Sequence, residues 1–423
     1  MTELLLRGGL VWTGTEMVEA DVLVVDGSVA RLGRVPAHGA EVLDCAGAWV
    51  GPGFVDLHCH LREPGGEWKE DLESGSEAAA AGGYVALVAM PNTVPPIDTG
   101  HLARYVSDRG RAVGLLDVVP AGALTMGLEG AQLAHLDELL GAGVTMFTDD
   151  GRTLADTGLL RRAMEYLGPE KAVLAQHPED IGASREGHMH EGDLSARLGI
   201  GGIPRLAEEL VVARDLALVR MTRARYHVQH VSCAGTAELV RRAKREGLPV
   251  TAEVTPHHLA LDHSVVASMD PRYKMYPPLR ERSDIEALRA ALADGTLDAV
   301  ATDHAPHAAH EKEVPFEEAP RGVIGLETAA AVVNTFADLG PIEFFDRMSA
   351  RPAEIAGLEG HGGPVAPGTP ANLVVFDPEW TWRVSRFVSR SDNSPFVGER
   401  LTGSVRFTLF RGRPTWAEGK VVR

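Results

Sequence analysis

Between residues 51 and 360 the chain repeats one pattern: a short apolar run, then a longer stretch with apolar residues at helical spacing. The apolar runs are Phe54–Cys59, Tyr84–Met90, Ala112–Val119, Val144–Thr148, Ala172–Gln176, Tyr226–His230, Val250–Val254 and Ala299–Thr302, eight in all. The helical patterns between them are Glu70–Ala81, His101–Asp108, Ala131–Leu140, Gly158–Tyr166, Pro204–Arg223, Ala237–Glu246 and Ser283–Leu292. Leu326–Leu339 and Pro341–Arg347 follow the eighth run. A helix between two strands carries the chain back, so successive strands run parallel. Eight such units predict an α/β fold, a (β/α)8 barrel of the TIM type. The competing arrangement, an open doubly wound sheet, wants a glycine-rich phosphate loop after its first strand. Here the first strand ends in His58-Cys59-His60 instead.

The two ends of the chain have a different texture. Leu4–Leu6, Val11–Trp12, Ala20–Val25 and Val29–Leu32 are short apolar runs, punctuated by Gly8-Gly9, Asp26-Gly27 and Gly33. Ala371–Phe376, Trp380–Val384, Val405–Phe410 and Thr415–Val421 repeat that texture at the other end. The expectation is a small β-sandwich domain built from residues 1–50 and 361–423 around a barrel of residues 51–360. A length of 423 residues fits one large barrel with such an attachment. The net charge of −18 argues against nucleic acid and against anionic membranes, both of which reward a basic face. No apolar run is long enough to span a membrane. The opening MTELLLRGGLVWTG lacks the basic and apolar regions of a signal peptide. Cys45, Cys59 and Cys233 are odd in number and far apart, as expected of reduced thiols in a cytoplasmic enzyme.

Barrel enzymes place their chemistry at the C-terminal strand ends. Strand one ends in His58 and His60, which point the same way because side chains alternate along a strand. Strand two runs into Met90-Pro91-Asn92-Thr93, and strand four into Asp149-Asp150-Gly151. Strands five and six end at His177 and His230, strand seven leads to His257-His258, and strand eight to Thr302-Asp303-His304-Ala305-Pro306-His307. Any one of these could be an ordinary polar residue or a helix cap. Packing alone has no need for polar groups at the same end of so many strands. Four histidines (His58, His60, His177, His230) and two aspartates (Asp303 and one of Asp149 and Asp150) exceed what one tetrahedral ion requires, which suggests two metals. Imidazole with carboxylate suits Zn²⁺, with Mn²⁺, Co²⁺ and Fe²⁺ open. Cys59 should face away from the metals. The loop Arg185–Gly202, with His188 and His190, reads as polar surface. The charged stretch His307–Gly325 reads as a solvated connection or a mobile loop over the site.

DLHCHLREPG, MPNT, the TDDG turn, the strand-end His177 and His230, PPLR, TDHAPH and Gly325-Leu326-Glu327-Thr328 resemble, in order and over nearly the whole chain, the bacterial class I dihydroorotases of the amidohydrolase superfamily. Each motif alone is shared with hydantoinases and allantoinases; the set is more specific. The resemblance implies that His58, His60 and Asp303 hold one metal, that His177 and His230 hold a second, and that Asp150 bridges. Many relatives bridge with a carboxylated lysine, and Val144–Gly151 contains none. Asp150 is preferred to Asp149 by its position in the turn, which leaves Asp149 a capping or supporting role.

The implied activity is reversible, zinc-dependent cyclisation of N-carbamoyl-L-aspartate to (S)-dihydroorotate in pyrimidine biosynthesis. It would use two Zn²⁺ per subunit, a metal-bridging hydroxide as nucleophile and Asp303 as proton carrier. Arg62, Asn92 and His307 would grip the substrate carboxylate, and the backbone at Arg321-Gly322 would contact the ring. Tyr276 stands where the family usually has an asparagine, Cys59 where an aliphatic is commoner, and Asn372 where an aspartate is common. The small-molecule substrate is the expected partner. The resemblance implies a homodimer, and some bacterial relatives assemble with aspartate transcarbamoylase. The alternatives are another cyclic amidase, acting on hydantoins or allantoin, and a non-catalytic partner of aspartate transcarbamoylase.

Overall fold

The computed structural model of the chain describes residues 3–37, 39–185 and 187–423; Met1 and Thr2 of the opening stretch lie outside these. The chain begins with β1 (Glu3–Trp12), β2 (Met17–Val25), β3 (Ser28–Gly33), β4 (Glu41–Asp44) and β5 (Trp49–Pro52). β2 is buried at every second residue along Ala20, Val22 and Val24, as expected of a strand with one face on a core.

The central strands are buried on both faces. β6 (Phe54–Cys59) and β7 (Tyr84–Ala89) have no exposed position, and with β8 (Asp117–Pro120) they form a three-stranded parallel sheet. β9 (Met146–Phe147) and β10 (Val173–Gln176) belong to a second parallel sheet. After an excursion through the short pair β11 (Met189–His190) and β12 (Gly202–Ile203), that sheet is completed by β13 (Arg225–Val228), β14 (Val250–Val254) and β15 (Ala299–Val300). Parallel bridges join both edges of the two sheets: Gly122 with Phe147, and Cys59 with His304. The eight parallel strands therefore follow one another in cyclic order. Asp56 reinforces one seam, accepting from the amides of Thr302 at 2.9 Å and His58 at 3.2 Å. Leu57, Val88, Met146, Ala175 and Ala301, from five segments of this ring, meet in one buried cluster with Ile355.

The chain then returns to the first sheet with β16 (Leu373–Arg383), β17 (Arg400–Phe410), β18 (Arg413–Ala417) and β19 (Lys420–Val421). Strands from both ends thus form one nine-stranded sheet in the order β19-β18-β17-β16-β5-β1-β2-β3, with β4 beside β1. The sheet branches at β1, which pairs with β4 along Leu4–Arg7 and with β5 at Leu10 and Val11. β5 passes into β6 through Gly53. A Cβ there would lie 2.3 Å from Val85 Cγ1, and one at Gly51 would lie 2.4 Å from Phe345 Cε1. Neither glycine has space for a side chain, which is how the sheet and the ring pack so closely at their junction.

Several expectations need correction; among the shorter ones, the helix expected at Ala131–Leu140 is only Leu136–Gly141 and the eighth strand is only Ala299–Val300. The third strand does not start at Ala112: the helix Gly100–Val113 continues through that residue, Gly114 ends it at φ +74°, and the strand is only Asp117–Pro120. The fourth strand shrinks from Val144–Thr148 to Met146–Phe147. Within the expected loop Arg185–Gly202, Glu186 lies outside the described residues, and the rest is not a polar surface loop, since Met189–His190 pairs with Gly202–Ile203 and His190 is buried. The helical pattern from Pro341 does not stop at Arg347. It passes through a π turn, Asp346–Ala350, into a further helix, Arg351–Ala356.

Candidate metal centre

The ring of strands turns its C-terminal ends toward one cavity. His58 lies inside β6, and the amide of His60 donates to the carbonyl of His304 at 2.8 Å, so one strand end is tied to the other across the seam. Asp150 follows β9, His177 follows β10, His230 follows β13 and Asp303 follows β15. His230 and Asp303 have φ values of +33° and +45°. Non-glycine residues adopt this region at some cost, and such positions cluster where a side chain must be aimed.

Asp150 stands between two donor groups. Its Oδ1 lies 3.2 Å from His58 Nε2 and its Oδ2 3.5 Å from His60 Nε2. The same Oδ1 is 3.8 Å from His177 Nδ1 and 3.9 Å from His230 Nε2, and those two nitrogens are 2.8 Å apart. Asp303 Oδ1 closes the first group, 3.1 Å from His60 Nε2 and 3.6 Å from His58 Nε2. His58, His60 and Asp150 form one set able to hold an ion; Asp150, His177 and His230 form another. Two observations support a fit to metal. His58 Nε2 and Asp150 Oδ1 are buried yet make no well-formed hydrogen bond. Donors bound tetrahedrally at about 2.1 Å sit about 3.4 Å apart, within the spread of spacings seen here. The charges agree as well. Burial works against ionising Asp150 and Asp303, but the surrounding imidazoles, His58 first, hold both carboxyls below the usual carboxylate range.

Beneath this centre lies a residue the sequence reading did not single out. Glu253, on β14 and wholly buried, accepts from His58 Nδ1 at 2.9 Å and from His227 Nε2 at 3.0 Å. Burial opposes its charge, yet the bonds from His227 and His58 bring its pKa down to about 2. A carboxylate at Nδ1 fixes the imidazole tautomer and leaves Nε2 of His58 as the free donor atom. The available signal was a lone acid within the apolar run VTAEV. Asp149 lies apart from the donor groups and takes the amides of Leu124 and Thr125, both at 2.9 Å. Cys59 turns away from the centre and donates to the Val88 carbonyl at 3.5 Å. His258 is held by Thr255 and the Pro277 carbonyl.

The cavity above the centre measures about 140 Å³ and is lined by every expected site residue except His58, which lies under it. Burial lowers the pKa of Arg62 only to about 10, so it remains a cation at neutral pH. Its Nε donates to the Pro306 carbonyl at 3.2 Å. Asn92 is engaged with the centre itself: its Oδ1 is 2.9 Å from His60 Nδ1 and its Nδ2 is 3.3 Å from Asp150 Oδ2. His307 Nε2 donates to the Arg321 carbonyl at 2.9 Å. Burial pushes the pKa of His307 down to about 2, so it is neutral. Tyr276 tilts over His177 with ring centroids 4.7 Å apart, and the Arg321 guanidinium stacks 4.0 Å above the Tyr276 ring. The stretch after His307 is tied down: Lys312 Nζ, itself buried, donates to the carbonyls of Pro271 at 3.1 Å and Pro320 at 2.8 Å.

Residues 47–236 match a family model described as dihydro-orotase-like. The chain is 46% identical to a dihydroorotase of Streptomyces coelicolor, with 100% of both chains covered. It is 48% identical to a dihydroorotase of Mycobacterium tuberculosis, with 99% of both covered. Among solved structures it is similar to an L-hydantoinase (dihydropyrimidinase) from Arthrobacter aurescens, with a TM-score of 0.89 and 24% identity over 100% of this chain and 98% of that one. A D-hydantoinase from Bacillus sp. AR9 aligns with a TM-score of 0.83 and 25% identity over 99% and 96%. The likeness to the L-hydantoinase shows a shared mixed α/β fold.

Proposed function

The chain belongs to the dihydroorotase family, and from that premise we propose that it interconverts N-carbamoyl-L-aspartate and (S)-dihydroorotate in pyrimidine biosynthesis. The observation that carries this reading at the site is the position of Asp150, a carboxylate shared by two histidine groups at the floor of a small cavity that Arg62 and Arg321 also line. In this reading His58, His60 and Asp303 would hold one divalent ion, His177 and His230 would hold a second, and Asp150 would serve both. The imidazole and carboxylate donors favour Zn²⁺. Two bound ions acidify water and polarise an amide carbonyl.

The remaining work falls to the side chains. Arg62 orients the substrate by its carboxylate, which a guanidinium can grip with two parallel bonds. Asn92 steadies His60 and Asp150 while presenting its amide to the cavity. His307 has committed its N–H to the Arg321 carbonyl, so it supports the ring-contacting backbone at Arg321-Gly322 more than it grips the carboxylate. Tyr276 and the stacked Arg321 form the wall that the ring meets. Asp303 takes the proton from the attacking water and delivers it to the leaving ring nitrogen, base first and then acid. The same reading makes the cyclic strands a (β/α)8 barrel of residues 51–360 with a β domain from residues 1–50 and 361–423. It also carries the family's cytoplasmic, homodimeric setting, with aspartate transcarbamoylase as the macromolecular partner to test.

Ring opening of dihydroorotate and of hydantoin, measured side by side, tests the proposal. Wild type should open dihydroorotate and leave hydantoin nearly untouched. Asp303→Asn should lower kcat on dihydroorotate by roughly 10²–10⁴-fold. Hydantoin turnover without dihydroorotate turnover would refute the substrate assignment, and an active Asp303→Asn would refute the proton carrier.

A further inference from the structure

Between β16 and β17 the chain leaves the nine-stranded sheet for sixteen residues, 384–399, and part of that excursion reaches the cavity loops. Asn393 sits at the point of contact, 2% exposed and outside the cavity lining. Its Oδ1 accepts from the amide of His307 at 3.1 Å. Its Nδ2 donates to the carbonyls of Ala305 and Gly322, both at 3.1 Å. The partners dictate the amide's orientation, because one N–H and two carbonyls can be satisfied only one way round. The backbone carbonyl of Asn393 also takes the amide of Ile324 at 3.3 Å. One side chain from the C-terminal part of the chain therefore bonds both loops that form one wall of the cavity.

We infer that Asn393 is a positioning residue for substrate binding: it sets the spacing between the loop carrying His307 and the loop carrying Arg321 and Gly322. Deleting its amide leaves two carbonyls and one N–H buried without partners, and each such group is costly enough to shift a loop toward water or another donor. The side-chain partners of Asn393 are His307, Ala305 and Gly322, none of them an expected metal ligand, so metal content should not change when the amide is altered. Asparagine and aspartate have nearly the same shape, which separates positioning from simple filling of space. An aspartate would keep the acceptor for His307 but turn a carboxylate oxygen toward two carbonyls.

The inference rests on dihydroorotate being the ligand, and the experiment separates the two claims. Asn393→Asp and Asn393→Ala are compared with wild type for KM and kcat on dihydroorotate, for metal content, and for hydrogen exchange of the amides between 305 and 324. Both variants should raise KM on the order of ten-fold with a much smaller change in kcat and unchanged metal content. The His307 amide should exchange faster in Asn393→Ala and stay protected in Asn393→Asp. A wild-type KM in Asn393→Asp would show that only volume matters and would overturn the inference. So would equal His307 protection in all three proteins. If wild type fails to turn over dihydroorotate, the substrate assignment falls, and the exchange pattern still decides whether Asn393 holds the loops.

Discussion

Glu253 shows how much of a metal site can sit outside the donor set. It is wholly buried, ionised and bonded to two imidazoles, and it also takes the backbone amide of His230 at 3.3 Å. Its partner His227 is anchored in turn by Thr251, 2.8 Å from Nδ1. Replacing Glu253 with glutamine removes the charge that fixes His58, and metal affinity should fall roughly 10–100-fold. Competition with a chelator measures this directly, and an unchanged affinity would show that the negative charge of Glu253 is not needed to hold His58. The sequence offered the donors readily, because His58, His60, His177, His230 and Asp303 follow or end apolar runs. It did not offer Glu253, whose importance depends on the side chains of two other strands, His58 and His227, converging on it. It also left Asn393 unnoticed, since that residue is far along the chain in a stretch with no strand or helix pattern.

At the level of elements, hydrophobic patterning was informative where strands were long and fully buried. Phe54–Cys59 and Val250–Val254 occupy the expected residues. It was misleading where an apolar run crossed a boundary. Val113 ends a helix while Leu115 and Leu116 are buried in a connection before β8, yet in sequence they read as one strand. His190 was misplaced for another reason. A glycine-rich stretch looks like surface, whereas its strand is two residues long and paired over a distance that no local pattern reveals. The junction of β5 and β6 is the element most sensitive to a small change. Gly53→Ala would press a methyl group into Val85 at 2.3 Å, an overpacking expected to cost about 1–3 kcal/mol. Denaturant unfolding should show that loss without a change in the metal-binding residues, and a neutral effect would mean the two sheets can separate at this seam.

The whole molecule joins two ends of one chain around a site to which neither end directly contributes a donor. The terminal sheet is completed by β16–β19, and the excursion between β16 and β17 returns to hold the cavity loops. An acidic protein of net charge −18 keeps two arginines, Arg62 and Arg321, on the lining of this cavity. If Asp150 joins two donor groups into one centre, removing it should disturb both. Metal content per chain, measured on wild type and Asp150→Ala and set against ring opening of dihydroorotate, tests it most directly. Active wild-type protein should carry two divalent ions per chain, and Asp150→Ala should lose metal together with turnover. Full activity in metal-free wild type, or two ions and wild-type turnover in Asp150→Ala, would contradict it.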